Sequence, residues 1–211
     1  MAQRTNTMRI GMIGSGTVGK SLGKAWASHG HAVMFSSREP GSAEMQALIA
    51  EAGANARAGT PSETLAFGEM IVVAIRWDYL PSVVASAGDW TGKVVIDATN
   101  RFGVSVSGKS AAEDLAALVP GAGVVKAFNT IGAEHMPHGS IGGEQLSMFI
   151  AGDGGAKATA TPLVEQLGFR VIDAGGLDKA RLLENLAELW VSLARGSMGR
   201  NFGFRVVEGA S

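Results

Sequence analysis

The sequence predicts an α/β fold built on a doubly wound parallel sheet, and three observations carry that expectation. Short apolar runs alternate with segments of helical periodicity along the 211 residues. The runs are apolar without strict alternation, as strands covered by helices on both faces require. The first of them leads directly into Gly14-Ser15-Gly16-Thr17-Val18-Gly19, a G-x-G-x-x-G turn followed by a helical pattern.

Residues 8–13 (MRIGMI) form the first strand, and Val18, Leu22, Ala25 and Trp26 recur at helical spacing after the turn. Strand, glycine turn and helix in that order make the Rossmann-type dinucleotide fingerprint. Gly14 turns the chain out of the strand. Gly16 leaves room for a pyrophosphate beside Ser15, Thr17 and Val18, and Gly19 lets the helix pack closely. The helix ends at His29-Gly30, and residues 31–36 are the second strand. A helix follows over 42–52, then a short one from the capping box Thr60-Pro61-Ser62-Glu63 to Phe67.

Residues 70–75 are a strand, Asp78 caps a helix through Ala87, and residues 93–98 are the next strand. Ser110 to Glu113 is a second capping box, opening a helix through Val119. Further strands fall at 123–128 and 146–151. A helix runs from Asp153 to Leu167, with Pro162 placed to bend or restart it. After a last strand at 170–173, residues 179–194 form an amphipathic helix with Leu182, Leu183, Leu186, Leu189, Trp190 and Leu193 on its apolar face. The expected organisation is a dinucleotide-binding unit over 8–152 and a small, mainly helical C-terminal segment over 153–211 packed on it.

Composition narrows the function. A net charge of −1 without a basic patch speaks against nucleic acid. The absence of cysteine excludes disulfides, thiol catalysis and cysteine-held metals, and His135-Met136-Pro137-His138 lacks a further ligand, so no metal site is expected. No apolar run reaches the ~20 residues of a membrane span. Residues 1–7 are polar and unlike a signal peptide, so a cytoplasmic protein is expected.

The end of the second strand indicates which dinucleotide. An NAD site places a carboxylate there for the ribose hydroxyls. This chain has Ser36-Ser37-Arg38, suited to the 2′-phosphate of NADP(H), while Glu39 falls two residues late and reads as solvated. The remaining strand ends, Ala74-Ile75-Arg76, Ala98-Thr99-Asn100 and Asn129-Thr130, are placed to line the cofactor, with the Asn and Thr side chains suited to ribose and nicotinamide. Arg76-Trp77 is placed to flank the adenine half. Lys126 reads as an ion-pair partner rather than a Schiff-base lysine. No residue is assigned a covalent catalytic role, since hydride transfer between two ring systems requires position, electrostatics and exclusion of water.

With these residues in hand the chain resembles the F420-dependent NADP oxidoreductase family. The resemblance runs through the glycine turn, Ser36-Ser37-Arg38, Val125 to Ile131, Gly152-Asp153, Asp173 to Leu177, and Ala180 to Glu184 with Leu189-Trp190. It implies hydride exchange between NADP(H) and a deazaflavin (F420) or flavin co-substrate, and a C-terminal segment that completes the acceptor pocket and makes a homodimer contact. With Asn129, Ile131, Gly175, Gly176 and Leu177 assigned to the acceptor, its planar ring is expected between Asn129-Thr130 and the side-chain-free Gly175-Gly176. The rival reading is a non-catalytic NADP(H)-binding sensor, which needs only the phosphate contacts and not the polar strand ends.

Overall fold

The computed structural model describes residues 7–102 and 108–209; residues 1–6, read from sequence as a polar start, lie outside them. The elements in chain order are β1 (Arg9–Ile13), α1 (Thr17–Ser28), β2 (Ala32–Ser36), α2 (Ala43–Ala52), β3 (Ala56–Gly59), α3 (Pro61–Phe67) and β4 (Met70–Val73). They continue with α4 (Leu80–Ala87), β5 (Val94–Asp97), α5 (Ala111–Leu118), β6 (Gly123–Lys126), β7 (Ser140–Ile141) and β8 (Glu144–Gln145). The last are β9 (Ser147–Gly152), α6 (Gly154–Gln166), β10 (Arg170–Asp173) and α7 (Ala180–Arg195).

Among the described residues eight strands make one sheet in the order β10-β9-β6-β5-β4-β1-β2-β3. From β3 to β6 every pair is parallel. Strand order reverses between β1 and β4, which opens a crevice at their carboxyl ends. Along β4, Met70 and Val72 enter a core shared with α1, α2 and α6, while Ile71 and Val73 enter one shared with α3, α4 and α5. This two-sided burial is why the strands read as unbroken apolar runs.

The sheet departs from the all-parallel expectation at β9. It pairs antiparallel with β6, Val125 opposite Gly152, and β10 then follows β9 in parallel through α6. Just past the end of β6, Phe128 takes φ 63, a left-handed conformation unusual for an aromatic side chain. Full burial and edge contacts with Trp26 and Phe169 hold it there. Residues 153–209 are mainly helical, as expected, with α6 and α7 flanking β10, which joins the same sheet at its edge.

Both capping boxes form, at Thr60/Glu63 and Ser110/Glu113. Asp78 caps nothing; it lies in a 3₁₀ turn, Trp77–Tyr79, ahead of α4, and pairs with Arg76. Pro162 sits inside α6 without ending it. β3 escaped the sequence reading because Ala-Arg-Ala-Gly has little strand propensity and forms a sheet edge. The β7–β8 hairpin had a signal, Gly142-Gly143, whose φ values of 60 and 84 suit a two-residue turn. On α7 the inner face is Ala180, Leu183, Glu184, Ala187 and Trp190, whereas Leu182 and Leu189 are exposed. The tail docks: Phe202 stacks on Trp190, and Phe204 and Val206 hydrogen-bond Ser147.

One polar cluster lies between these layers. The Lys126 ammonium, fully buried, donates to Asp97 Oδ2 at 2.9 Å and to the Thr99 carbonyl at 2.6 Å, and pairs with Glu184 Oε1 at 3.0 Å. It is an ion-pair lysine, as the sequence suggested. Replacing Lys126 with Met leaves two buried carboxylates without their cation, and urea unfolding should show a loss of about 3–5 kcal/mol. A loss below about 1 kcal/mol would mean the cluster behaves as a solvated one.

Candidate functional site

The crevice at the β1/β4 switch point is a cleft of about 720 Å³, lined by the glycine turn and by the ends of β2, β4 and β5. Its floor is the turn from β1 into α1. Gly14 has φ +119, and a Cβ there would lie 2.4 Å from the Ala74 carbonyl oxygen. Gly19 packs so tightly that a Cβ would meet the Gly14 carbonyl oxygen at 2.0 Å. Gly16 differs from both. It is the N-cap of α1, exposed, with nothing within 4 Å of a Cβ position. No side chain caps α1 and no acidic residue occupies its first turn, so its N-terminal N–H groups are available to an anion.

At the end of β2, Ser36 is buried and its Oγ accepts the Gly14 N–H at 3.1 Å, which ties the strand end to the glycine turn. The Ser37 Oγ accepts the Glu39 N–H at 3.0 Å. Arg38 is exposed, lines the cleft, and makes no ion pair among the described residues. Glu39 is exposed and is not part of the cleft wall. The end of β2 thus presents a free guanidinium to the cleft and no carboxylate.

Ala74, Ile75 and Arg76 line the cleft after β4, but the Arg76-Trp77 pair divides. Arg76 pairs with Asp78 and lies 5.4 Å from the centroid of the Tyr79 ring. Trp77 faces Arg101, whose guanidinium is 4.8 Å from its ring centroid. Of this stretch, Tyr79 brings its ring to the cleft, joined by Ser82 and Val83. Sequence reasoning passed these over, although 79, 82 and 83 carry the i, i+3, i+4 spacing of one helix face. Pro61 and Phe102 are further wall residues without a sequence signal.

Ala98, Thr99 and Asn100 line the opposite end. Thr99 is buried, with its N–H donated to Asp97 Oδ1 at 2.9 Å and its Oγ1 without a partner. Asn100 Nδ2 donates to the Asn129 carbonyl at 3.0 Å, and Asn129 Nδ2 donates back to Asn100 Oδ1 at 3.2 Å and to the Leu183 carbonyl at 3.0 Å. Asn129, Thr130 and Ile131 are buried and are not among the residues that line the cleft; Asn129 is the one bonded to Asn100.

The segment expected to form the second wall lies beside the antiparallel part of the sheet. Because β9 and β10 run opposite to β6, the Gly152 N–H donates to the Gly175 carbonyl level with Val125, in the middle of β6. A 3₁₀ turn, Leu177–Lys179, then leads into α7. Asp173 is held below the ordinary carboxylate range by hydrogen bonds from Lys157 and the Gly175 N–H. Leu177 packs beneath α5 and α7 with Ala112, Ala180 and Leu183. Gly175, Gly176 and Leu177 are not among the residues that line the cleft.

Residues 9–101 match the family described as NADP oxidoreductase, coenzyme F420-dependent. The chain is 30% identical to the human Metalloreductase STEAP2 over 188 residues, 89% of this chain and 37% of the relative. It thus spans little more than a third of the length of the metalloreductases it matches. It is 28% identical to the F420-dependent NADP reductase of Methanothermobacter thermautotrophicus over 219 residues, covering 94% of each chain. Among solved structures, a candidate F420-dependent NADP reductase from Arthrobacter sp. FB24 superposes with a TM-score of 0.85 at 28% identity, over 95% of this chain and 100% of the other. No helix among the described residues is long and apolar enough to cross a membrane, and no cluster of metal-ligating side chains is present among them.

Since the space at Gly16 is open, Gly16→Val should fold as the parent does and lose NADP(H) binding by calorimetric titration. A folded variant that bound NADPH with the parent's affinity would disconnect the glycine turn from the cofactor.

Proposed function

We propose that this cleft binds NADP(H) and exchanges hydride with a planar flavin or deazaflavin, as the match of residues 9–101 to the coenzyme F420-dependent NADP oxidoreductase family supports. The observation that carries the NADP half is Arg38: an unpaired guanidinium at the end of β2, with no carboxylate in the cleft wall beside it. A guanidinium attracts a 2′-phosphate by charge-assisted hydrogen bonds, and the absence of an acid leaves the two hydroxyls of NAD without their usual acceptor.

The residues divide the work along the cleft. Gly14 to Gly19 and the open N-terminus of α1 receive the pyrophosphate. Ser37 and Arg38 hold the 2′-phosphate, while the Ser36 hydroxyl acts indirectly by fixing the Gly14 N–H. Tyr79 offers its ring, 56% exposed, to the adenine. Ala98, Thr99 and Asn100 position the nicotinamide, and Asn129 holds Asn100. Bound there, NADPH supplies a hydride to a second ring. Phe102, 57% exposed at that end of the cleft, offers an apolar face to a planar acceptor. The acceptor class is supported by the printed function of the archaeal relative, which matches over nearly the whole of both chains.

Two measurements test this reading. Arg38→Ala should weaken NADPH binding by about tenfold or more, with NADH little changed; equal losses for both would make the arginine structural. NADPH should be oxidised in the presence of one member of a panel of FMN, FAD and F420, followed anaerobically at the acceptor's absorbance band. Tight NADPH binding with no turnover on any of the three would remove the acceptor class and favour a binding protein.

A further inference from the structure

The contacts of Glu184 lead from the C-terminal helix to the nicotinamide end of the cleft without touching the cleft itself. Glu184 is 9% exposed and sits in the first turns of α7. Its Oε1 pairs with Lys126 Nζ and, at 2.8 Å, accepts the Ala111 N–H that opens α5. Lys126 uses its other two N–H groups on Asp97 and on the Thr99 carbonyl. Asp97 in turn takes the Thr99 N–H. Both backbone groups of Thr99 are thereby fixed by a chain of charges whose far end is Glu184. One residue earlier on α7, the Leu183 carbonyl accepts from Asn129, which holds Asn100.

We infer that Glu184 is a positioning residue: through Lys126 it sets the Thr99-Asn100 turn, and so makes nicotinamide placement depend on the docking of α7. The inference rests on the reading of the cleft as an NADP(H) site. The chemistry of Lys126 favours it. An ammonium has three donors, and here each has one acceptor. Removing the Glu184 carboxylate leaves one N–H unmet in a dry environment, and Lys126 relieves this only by moving away from Asp97 and the Thr99 carbonyl. The glycine turn and Arg38 lie on other strands and share none of these contacts.

Two ligands separate the ends of the cleft. Adenosine 2′,5′-bisphosphate carries only the adenine, ribose and 2′-phosphate, whereas NADPH adds the nicotinamide half. Calorimetric titration of Glu184→Ala should show NADPH weakened by on the order of tenfold, with adenosine 2′,5′-bisphosphate bound as by the parent. Glu184→Gln keeps an acceptor oxygen for Lys126 and should restore most of the NADPH affinity. Should Glu184→Ala fail to fold, Glu184→Asp carries the test. It keeps the charge, draws the carboxylate back by one methylene, and should weaken NADPH alone. Equal weakening of both ligands, or of neither, in a folded variant overturns the positioning role. A parent that binds neither ligand overturns instead the reading of the cleft, and this inference with it.

Discussion

The Lys126 ammonium is the point at which β5, β6, α5 and α7 are held together, and much of the structure at that end of the sheet depends on it. Moving an ammonium and two carboxylates out of water costs several kcal/mol per ion, so the cluster is tolerable only if every donor is met. It is: three acceptors surround Nζ, Thr99 supplies an N–H to Asp97, and the opening turn of α5 supplies one to Glu184. The same completeness makes it selective. An arrangement of α7 that drew Glu184 away would leave a buried cation short of an acceptor, so the helix has one favourable seat.

A second constraint acts at the other side of the cleft, and it is steric. The Gly14 and Gly19 positions have no room for a Cβ, because the strand end, the Ala74 carbonyl and the first turn of α1 converge there. Gly16, two residues from one and three from the other, has open space. The three glycines of one motif thus serve different needs: two allow the backbone to pack on itself, and one keeps the backbone open to a ligand. The Ser36 hydroxyl belongs to the packing side of this division, since it is engaged by the Gly14 N–H.

The antiparallel β9 changes how the acceptor end is to be understood. In a sheet that stayed parallel, the segment after β10 would emerge beside the cleft. Here β9 and β10 run opposite to β6, Phe102 lines the cleft with Asn100, and Asn129 links Asn100 to α7. The C-terminal helix meets this end through the Leu183 carbonyl and the Glu184 carboxylate.

The sequence by itself determined what depends on local order. The glycine turn, both capping boxes, the two-sided apolar strands and the Ser36-Ser37-Arg38 end of β2 can be read without knowing how the chain folds back. Each follows from neighbours within a few residues. The sequence also carried signals that were passed over, in the Gly142-Gly143 turn and in the shared face of Tyr79, Ser82 and Val83. Tertiary structure decided the rest. Asp97, Lys126 and Glu184 are far apart in the chain, so no spacing rule joins them. Whether Gly175-Gly176 reaches the cleft turns on the direction of one strand, which an apolar run does not encode because its side chains look the same read in either direction. The left-handed conformation of Phe128, just ahead of Asn129, is likewise tertiary, since the Trp26 and Phe169 rings that pack on it come from distant parts of the chain.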